Sequence, residues 1–173
     1  MNAQLNFSDN TDKTTVIATV AEYLRGLAIS YNEIDNQRPW GAFFVISPGS
    51  LDMFLGTYFT DYDPALIKQF GDSVSPKILL VAPGQKLSWQ YHERRAELWR
   101  AVTPVGYIRS TNDSETDVQQ LARGEYVQFQ PQERHRLVGL EQWGVVAEIW
   151  QHTDATHPSN EDDIIRVSDQ YGR

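Results

Sequence analysis

The chain has 173 residues, with 23 acidic and 15 basic side chains, a formal net charge of -8 and a pI near 4.9. This acidic balance excludes proteins that neutralise a nucleic-acid backbone along a basic surface. The absence of cysteine excludes disulfides, thiolate metal sites and cysteine nucleophiles. No apolar run reaches the roughly 18 residues of a membrane span, and residues 1–10 lack the basic and apolar regions of a signal peptide. We therefore expect a cytoplasmic protein without nucleic-acid or membrane partners.

The first periodic pattern in the chain predicts a helix. From about Thr11 to Leu27, apolar residues recur every three or four positions, and Gly26 stands near the end of the pattern. Residues 1–37 are expected to form a polar, frayed tail and a helix packed on the main domain, with 32–37 as a polar linker. Residues 50–72 are interpreted as an inserted helical segment, with Pro64 at the first position of a short helix.

Short apolar runs separated by Gly, Pro, Asp and Asn dominate the rest of the chain. This pattern is typical of a closed β-sandwich or barrel. The predicted strands are residues 42–46, 77–81, 86–92, 97–103, 105–109, 118–121, 126–130, 135–138, 145–150 and 164–167. The fold class is therefore mainly β, and residues 38–173 are expected to form one globular unit.

Alternating residue types between positions 86 and 92 predict a strand that carries metal ligands. Gln90 and His92 share a face, roughly 7 Å apart along the backbone. Glu97 follows five residues after His92, far enough to cross a tight turn and return on the next strand. An imidazole, an amide oxygen and a carboxylate brought together in this way suit a borderline divalent cation.

The spacing of these residues resembles that of the cupin superfamily. Gly84, Gln90, His92 and Glu97 match the first cupin motif, and residues 124–135, which end at His135, match the second. The second motif departs from the family at positions 130 and 132, where glutamine stands in place of the usual proline and glycine.

A nearer resemblance is to the type II mannose-6-phosphate isomerase domain. Three blocks carry it, namely RPWG at 38–41, LSWQYHERRAELW at 87–99 and EDDIIRVSDQYGR at 161–173. It implies a cupin jelly-roll barrel with an N-terminal helix and a short helical insertion. It also implies one divalent metal bound by Gln90, His92, Glu97 and His135. Zinc is the first expectation, and manganese, cobalt, nickel and iron are alternatives. The implied partner is a phosphosugar, and a homodimer follows by analogy only.

Four further residues are candidates for binding the substrate. Lys86 and Ser88 share the inward parity of Gln90, so Lys86 either reaches a phosphate or is a solvated lysine at a strand start. Trp99 has the parity of Glu97 and either lines the pocket wall or packs in the core. Arg173 ends the Tyr-Gly-Arg tail and folds back over the pocket mouth or frays.

Two residues are candidates for catalysis. Arg95 matches an arginine of the family motif and either supports Glu97 or contacts the substrate phosphate. Glu148 aligns with a family glutamate and is the candidate base, with an outward-facing surface carboxylate as the alternative.

The leading functional hypothesis is a metal-dependent sugar-phosphate isomerase, an intramolecular oxidoreductase acting on mannose 6-phosphate and fructose 6-phosphate. Another phosphosugar, such as a heptose phosphate, is an alternative substrate. The other hypotheses are an Fe(II) cupin oxygenase and a cupin that binds a sugar or small acid without turnover.

Overall fold

The computed structural model describes residues 4–8, 10–67 and 74–172. The helices in these ranges are α1 (Lys13–Gly26), α2 (Leu51–Tyr58) and α3 (Pro64–Ile67). The strands are β1 (Tyr31–Asp35), β2 (Gly41–Ile46), β3 (Val74–Val81), β4 (Trp89–Tyr91), β5 (Arg95–Ala101), β6 (Val105–Ser110), β7 (Gln119–Leu121), β8 (Tyr126–Phe129), β9 (Arg134–Val138), β10 (Gly144–His152) and β11 (Ile165–Ser168). The last residues of the predicted 50–72 helical segment lie outside the described residues.

The strands form two antiparallel sheets. One has six strands in the order β1-β2-β3-β10-β5-β8, and the other has five in the order β11-β4-β9-β6-β7. Side chains from both sheets, such as Leu79, Trp99 and Val146 from the first and Tyr107 and Leu137 from the second, share one hydrophobic core. This is a jelly roll, and it confirms the mainly β fold class.

A second core covers the outer face of the six-stranded sheet. Val16, Val20 and Leu24 of α1 are fully buried in it, together with Ile78 and Leu80 of β3. Alternate residues of β3 therefore pack against the helices, and the others face the second sheet. Both faces of β3 are covered, which explains the unbroken apolar run at residues 78–81. Burying each large aliphatic side chain contributes about 1.5–3 kcal/mol to stability.

Two expectations for the first 37 residues are wrong. Leu5 and Phe7 are buried at 4% and 7% exposure, so the described part of the tail packs on the core rather than fraying. Residues 31–35 form β1, which pairs with β2, instead of a polar linker. An edge strand with solvent-facing polar side chains lacks the apolar alternation that identifies a strand in sequence.

The predicted strand over residues 86–92 is shorter than expected. Only Trp89–Tyr91 forms regular strand, and Lys86 makes a single isolated bridge with Val138. Within the described residues, no helix is both long and apolar enough to span a membrane.

Candidate metal centre

Strand register aligns polar side chains on the inner face of the six-stranded sheet. Lys77 on β3, Glu148 on β10 and Trp99 on β5 lie directly opposite one another. Trp150, which is two residues after Glu148 on β10, lies opposite Glu97 on β5. Because directly opposed residues on antiparallel strands share a face, all five side chains point between the sheets.

The smaller sheet supplies the histidines. Gln90 on β4 lies directly opposite His135 on β9, and His92 follows just after β4. The ligand atoms of His92, Glu97 and His135 all lie within 4.8 Å of one another, and all three residues are buried. The structure thus brings the predicted metal ligands together from both sheets.

Backbone carbonyls orient both imidazoles. Nδ1 of His92 lies 3.2 Å from the carbonyl oxygen of Asp163, and Nδ1 of His135 lies 2.9 Å from that of Glu133. Because a carbonyl can only accept, each Nδ1 carries the proton and each Nε2 presents a lone pair. These Nε2 atoms lie 3.0 Å and 3.1 Å from the two carboxylate oxygens of Glu97.

Charge and protonation at this cluster favour a cation. Burial lowers the pKa of His92 against the opposing effect of Glu97, so its ring is neutral. Burial would raise the pKa of Glu97, but His92, Arg95 and His135 together hold it well below its usual value. Two imidazole lone pairs facing an ionised carboxylate at about 3 Å repel one another. The Arg95 guanidinium offsets this repulsion at His92, and a bound cation would offset it at both histidines. This donor set fits a divalent ion such as zinc.

Arg95 supports the cluster from one side. Its Nε donates to Oε1 of Glu97 at 2.8 Å, and its guanidinium lies 3.5 Å from the ring centroid of Trp150. Its Nη2 also donates to Nε2 of His92 at 3.1 Å. A divalent ion would compete with Arg95 for that nitrogen. These contacts favour the supporting role over the phosphate-binding role expected as its alternative.

Gln90 and Ser88 form a pair at the edge of the cluster. The hydroxyl of Ser88 donates to Oε1 of Gln90 at 2.5 Å, and the amide nitrogen of Gln90 lies 3.5 Å from Nε2 of His92. The amide nitrogen, rather than the oxygen, therefore faces the imidazole. Ligation through Gln90 requires the amide to rotate by half a turn, so its role as a ligand stays a prediction.

Glu148 is an inward-facing carboxylate with an altered acidity. It is 4% exposed, and its Oε1 accepts a hydrogen bond from Nε1 of Trp99 at 2.9 Å. Burial and the negative charge of Glu97 raise the pKa of Glu148 to about 8, against the lowering effects of Lys77, Arg95 and the Trp99 hydrogen bond. A carboxyl group with such a pKa exchanges a proton readily near neutral pH. The surface-carboxylate alternative is wrong.

A cavity of about 60 Å³ opens beside the cluster. Glu97, Glu148 and Gln90 line it, the basic residues that line it besides Arg95 are Arg38, Lys77 and Arg166, and Glu161 adds an acidic group. The cavity thus joins the candidate ligands and the candidate base to several basic side chains.

Lys77 is a cavity residue that sequence reasoning missed. It is only 7% exposed, and its Nζ lies 3.3 Å from the ring centroid of Trp150 and 3.3 Å from Oε1 of Glu161. The signal was present in the sequence, because Lys77 is the only charged residue of the otherwise largely apolar β3.

Of the substrate-binding candidates selected from the sequence, Lys86 and Trp99 do not line this cavity. Lys86 is half-buried elsewhere, and Trp99 is buried at 1% exposure with its indole N–H turned to Glu97 and Glu148. Ser88 does line it. Arg173 lies outside the described residues. Asp163, in the acidic run at 161–163, is buried at 4% exposure.

Two of the following solved structures share this fold at low sequence identity, and the third is less similar. A variant of oxalate decarboxylase from Bacillus subtilis aligns with 79% of the chain at 10% identity and a TM-score of 0.54, and the chain covers 32% of it. Vicilin from hazelnut, Corylus avellana, aligns with 79% at 9% identity and a TM-score of 0.51, with 34% of its own length covered. A cupin 2 conserved barrel domain protein from Salinispora arenicola aligns with 48% at 21% identity and a TM-score of 0.40, with 65% of its length covered. The chain thus spans less than two thirds of each of these three proteins.

Sequence comparison identifies the family to which the chain belongs. No curated protein matches the chain. The family model described as mannose-6-phosphate isomerase C-terminal matches residues 62–169, which contain all four predicted ligands and Glu148. The match confirms the resemblance carried by the sequence motifs. This chain belongs to the mannose-6-phosphate isomerase C-terminal family, a cupin-type family.

Proposed function

We propose that the protein is a metal-dependent sugar-phosphate isomerase, with mannose 6-phosphate and fructose 6-phosphate as the first pair to test. One observation carries the proposal. The Glu148 carboxylate, with a pKa raised to about 8, lines the same cavity as Glu97 of the His92, Glu97 and His135 cluster. A base beside a cation site is the arrangement that aldose-ketose isomerisation requires.

The reaction moves a proton between adjacent carbons of the sugar through an enediolate. His92, Glu97 and His135, with Gln90 as the predicted fourth ligand, would hold a divalent ion, which when bound supplies a Lewis acid for the negative charge that develops on the sugar oxygens. Glu148 takes the proton from one carbon and returns it to the next. Its hydrogen bond from Trp99 fixes the carboxylate while it does so.

The basic residues that line the cavity support a phosphorylated substrate. Lys77, Arg38 and Arg166 line it, and the carboxylate of Glu161 accepts a hydrogen bond from Lys77. A substrate phosphate would replace Glu161 as the anion beside Lys77. A cavity of about 60 Å³ holds several water molecules but is small for a whole sugar phosphate. Binding would therefore require side chains that line it, such as the exposed Glu161 and Arg166, to move.

The same donor set favours a second candidate function. Two histidines and one carboxylate also bind Fe(II) in oxygenases. Glu148 distinguishes the two, because isomerisation needs a base in the cavity. The third reading, a cupin that binds a sugar or small acid without turnover, predicts binding without proton exchange.

The deciding experiment measures proton exchange and product together. The purified protein, loaded in turn with zinc, manganese, cobalt, nickel and iron, is mixed with mannose 6-phosphate in D₂O, and NMR follows deuterium at C2 and the appearance of fructose 6-phosphate. We expect both, abolished by a chelator and reduced about 10²–10⁴-fold in Glu148→Gln. The matched control is Glu141→Gln, an exposed glutamate.

Three results would redirect the proposal. Deuterium exchange into a heptose phosphate, and not into mannose 6-phosphate, would change the proposed substrate but leave the proposed reaction unchanged. Oxygen uptake with Fe(II) and a ketoacid, without exchange, would favour the oxygenase. Binding of mannose 6-phosphate without exchange under any of the metals would favour the non-catalytic binder.

A further inference from the structure

The segment formed by residues 159–168 contacts residues of the metal centre, and its β11 part pairs with β4, the strand just before His92. Its residue Asp163 is buried at 4% exposure in a stretch whose neighbours Glu161 and Asp162 are exposed. The backbone carbonyl of Asp163 accepts the Nδ1 proton of His92 at 3.2 Å. This is the contact that leaves Nε2 of the imidazole facing Glu97.

The carboxylate of Asp163 makes a separate set of contacts. One oxygen accepts the backbone N–H of Glu93 at 3.2 Å, and the other accepts that of Arg94 at 3.1 Å and the hydroxyl of Ser159 at 2.6 Å. Glu93 and Arg94 directly follow His92 in the chain. The backbone beyond the histidine and the ring of the histidine are therefore both held by one residue.

Ser159 extends the same contacts to Arg95. Its hydroxyl oxygen accepts a hydrogen bond from Nη1 of Arg95 at 2.9 Å while its proton goes to Asp163. Arg95 in turn donates to Glu97. The 159–168 segment thus contacts the supports of two candidate ligands, His92 and Glu97, and contributes no ligand of its own.

We propose that Asp163 is a positioning residue for the metal centre. Its carboxylate fixes the turn after His92, and its carbonyl sets the rotation and tautomer of the imidazole. Hydrogen-bond partners of this kind orient metal-binding histidines and affect metal affinity strongly. The expected effect on metal binding rests on the proposed metal-dependent function, whereas the effect on the His92 ring holds in the metal-free protein as well.

The first test compares Asp163→Asn with Asp162→Asn, an exposed neighbour in the same turn. The Asp163→Asn side chain has the same size as the aspartate. If its NH₂ group replaces the oxygen that accepts from Arg94 and Ser159, both of those hydrogen bonds are lost, because NH₂ only donates. We expect the Kd for Zn²⁺, measured by competition with a chromophoric chelator, to rise about 10- to 100-fold. The visible absorption of bound Co²⁺ should change in shape, and Asp162→Asn should match the wild type in both measurements.

The second test observes the His92 ring directly. In the metal-free wild type, long-range ¹H–¹⁵N NMR of the histidine rings should show His92 protonated at Nδ1, and Asp163→Ala should show a mixture of tautomers. A wild-type His92 protonated at Nε2 would overturn the proposal. So would an Asp163→Asn protein that binds Zn²⁺ with the wild-type Kd and gives the wild-type cobalt spectrum. If either variant fails to fold, the wild-type spectrum still tests the proposal, because it shows which nitrogen of His92 is protonated.

The outcomes also separate this inference from the proposed function. A wild type that binds no metal but has His92 protonated at Nδ1 supports the positioning role and contradicts the metal-dependent isomerase. A wild type that binds metal, with Asp163→Asn unchanged, contradicts the positioning role and leaves the isomerase standing.

Discussion

The indole N–H of Trp99 lies between two carboxylates, 2.9 Å from Oε1 of Glu148 and 3.1 Å from Oε2 of Glu97. Trp99 and Glu148 are directly opposite on β5 and β10, so strand register places this donor beside the candidate base. One side chain thus holds both the base and a candidate metal ligand.

Replacing Trp99 by phenylalanine should move the pH dependence of activity. The Trp99 hydrogen bond lowers the pKa of Glu148, so its loss raises that pKa and shifts the rise of kcat/KM to higher pH. We also expect kcat to fall more than KM rises, because the base is less well oriented. The control is Trp143→Phe, a buried indole that donates to the carbonyl of Thr11, which should lower stability without moving the profile.

Glu148 should destabilise the metal-free protein at alkaline pH. Its pKa is raised to about 8 by burial and by Glu97, whereas in the unfolded chain it is near 4.5. Between these values the folded state binds more protons than the unfolded state, so stability falls as pH rises. With a chelator present, the Tm of the wild type minus the Tm of Glu148→Gln should therefore decrease from about pH 5 to pH 8. A Tm difference that is constant or increasing over this range would contradict the raised pKa.

Two lysines provide a direct test of where the phosphate binds. Lys77 lines the cavity, whereas Lys86, the lysine selected from sequence, does not. We expect Lys77→Met to raise KM for mannose 6-phosphate by tenfold or more, because a hydrogen bond to a charged group contributes about 1.5–3 kcal/mol. Lys86→Met should leave KM within about twofold. The reverse result in steady-state kinetics would assign the phosphate to Lys86.

The spacing of short apolar runs was sufficient to predict the sheet-rich fold. The local pattern also indicated His92 and Glu97, whereas His135 was added by the resemblance to the second cupin motif. The charge of Lys77 stands out in the sequence of β3, but its place beside Glu148 depends on the register between β3 and β10, which are separated by more than 60 residues. Asp163 was hidden in an acidic run, because only its tertiary contacts distinguish it from Asp162. β1 was missed because its polar side chains face solvent at the sheet edge.

The turn before β9 contains a residue in a costly conformation. Gln132 has φ of 65°, in the left-handed region, at the position where the family usually has glycine. Its backbone N–H donates to the carbonyl of His92 at 2.7 Å, so the turn is tied to the metal centre. The left-handed conformation costs a residue with a side chain about 1–2 kcal/mol, and glycine avoids this cost.

Gln132→Gly should therefore stabilise the protein. The variant loses an exposed hydrogen bond from the Gln132 amide to Glu93, which offsets part of the gain, so we expect a net increase of about 0.5–1 kcal/mol in the free energy of unfolding. Gln130→Gly is the matched control, because Gln130 is exposed in the same turn and lacks a positive φ. There, the added chain flexibility should lower stability by a similar amount. Urea unfolding with a chelator present measures whether each variant gains or loses free energy of unfolding. A destabilised Gln132→Gly would show that the side-chain hydrogen bond outweighs the backbone strain.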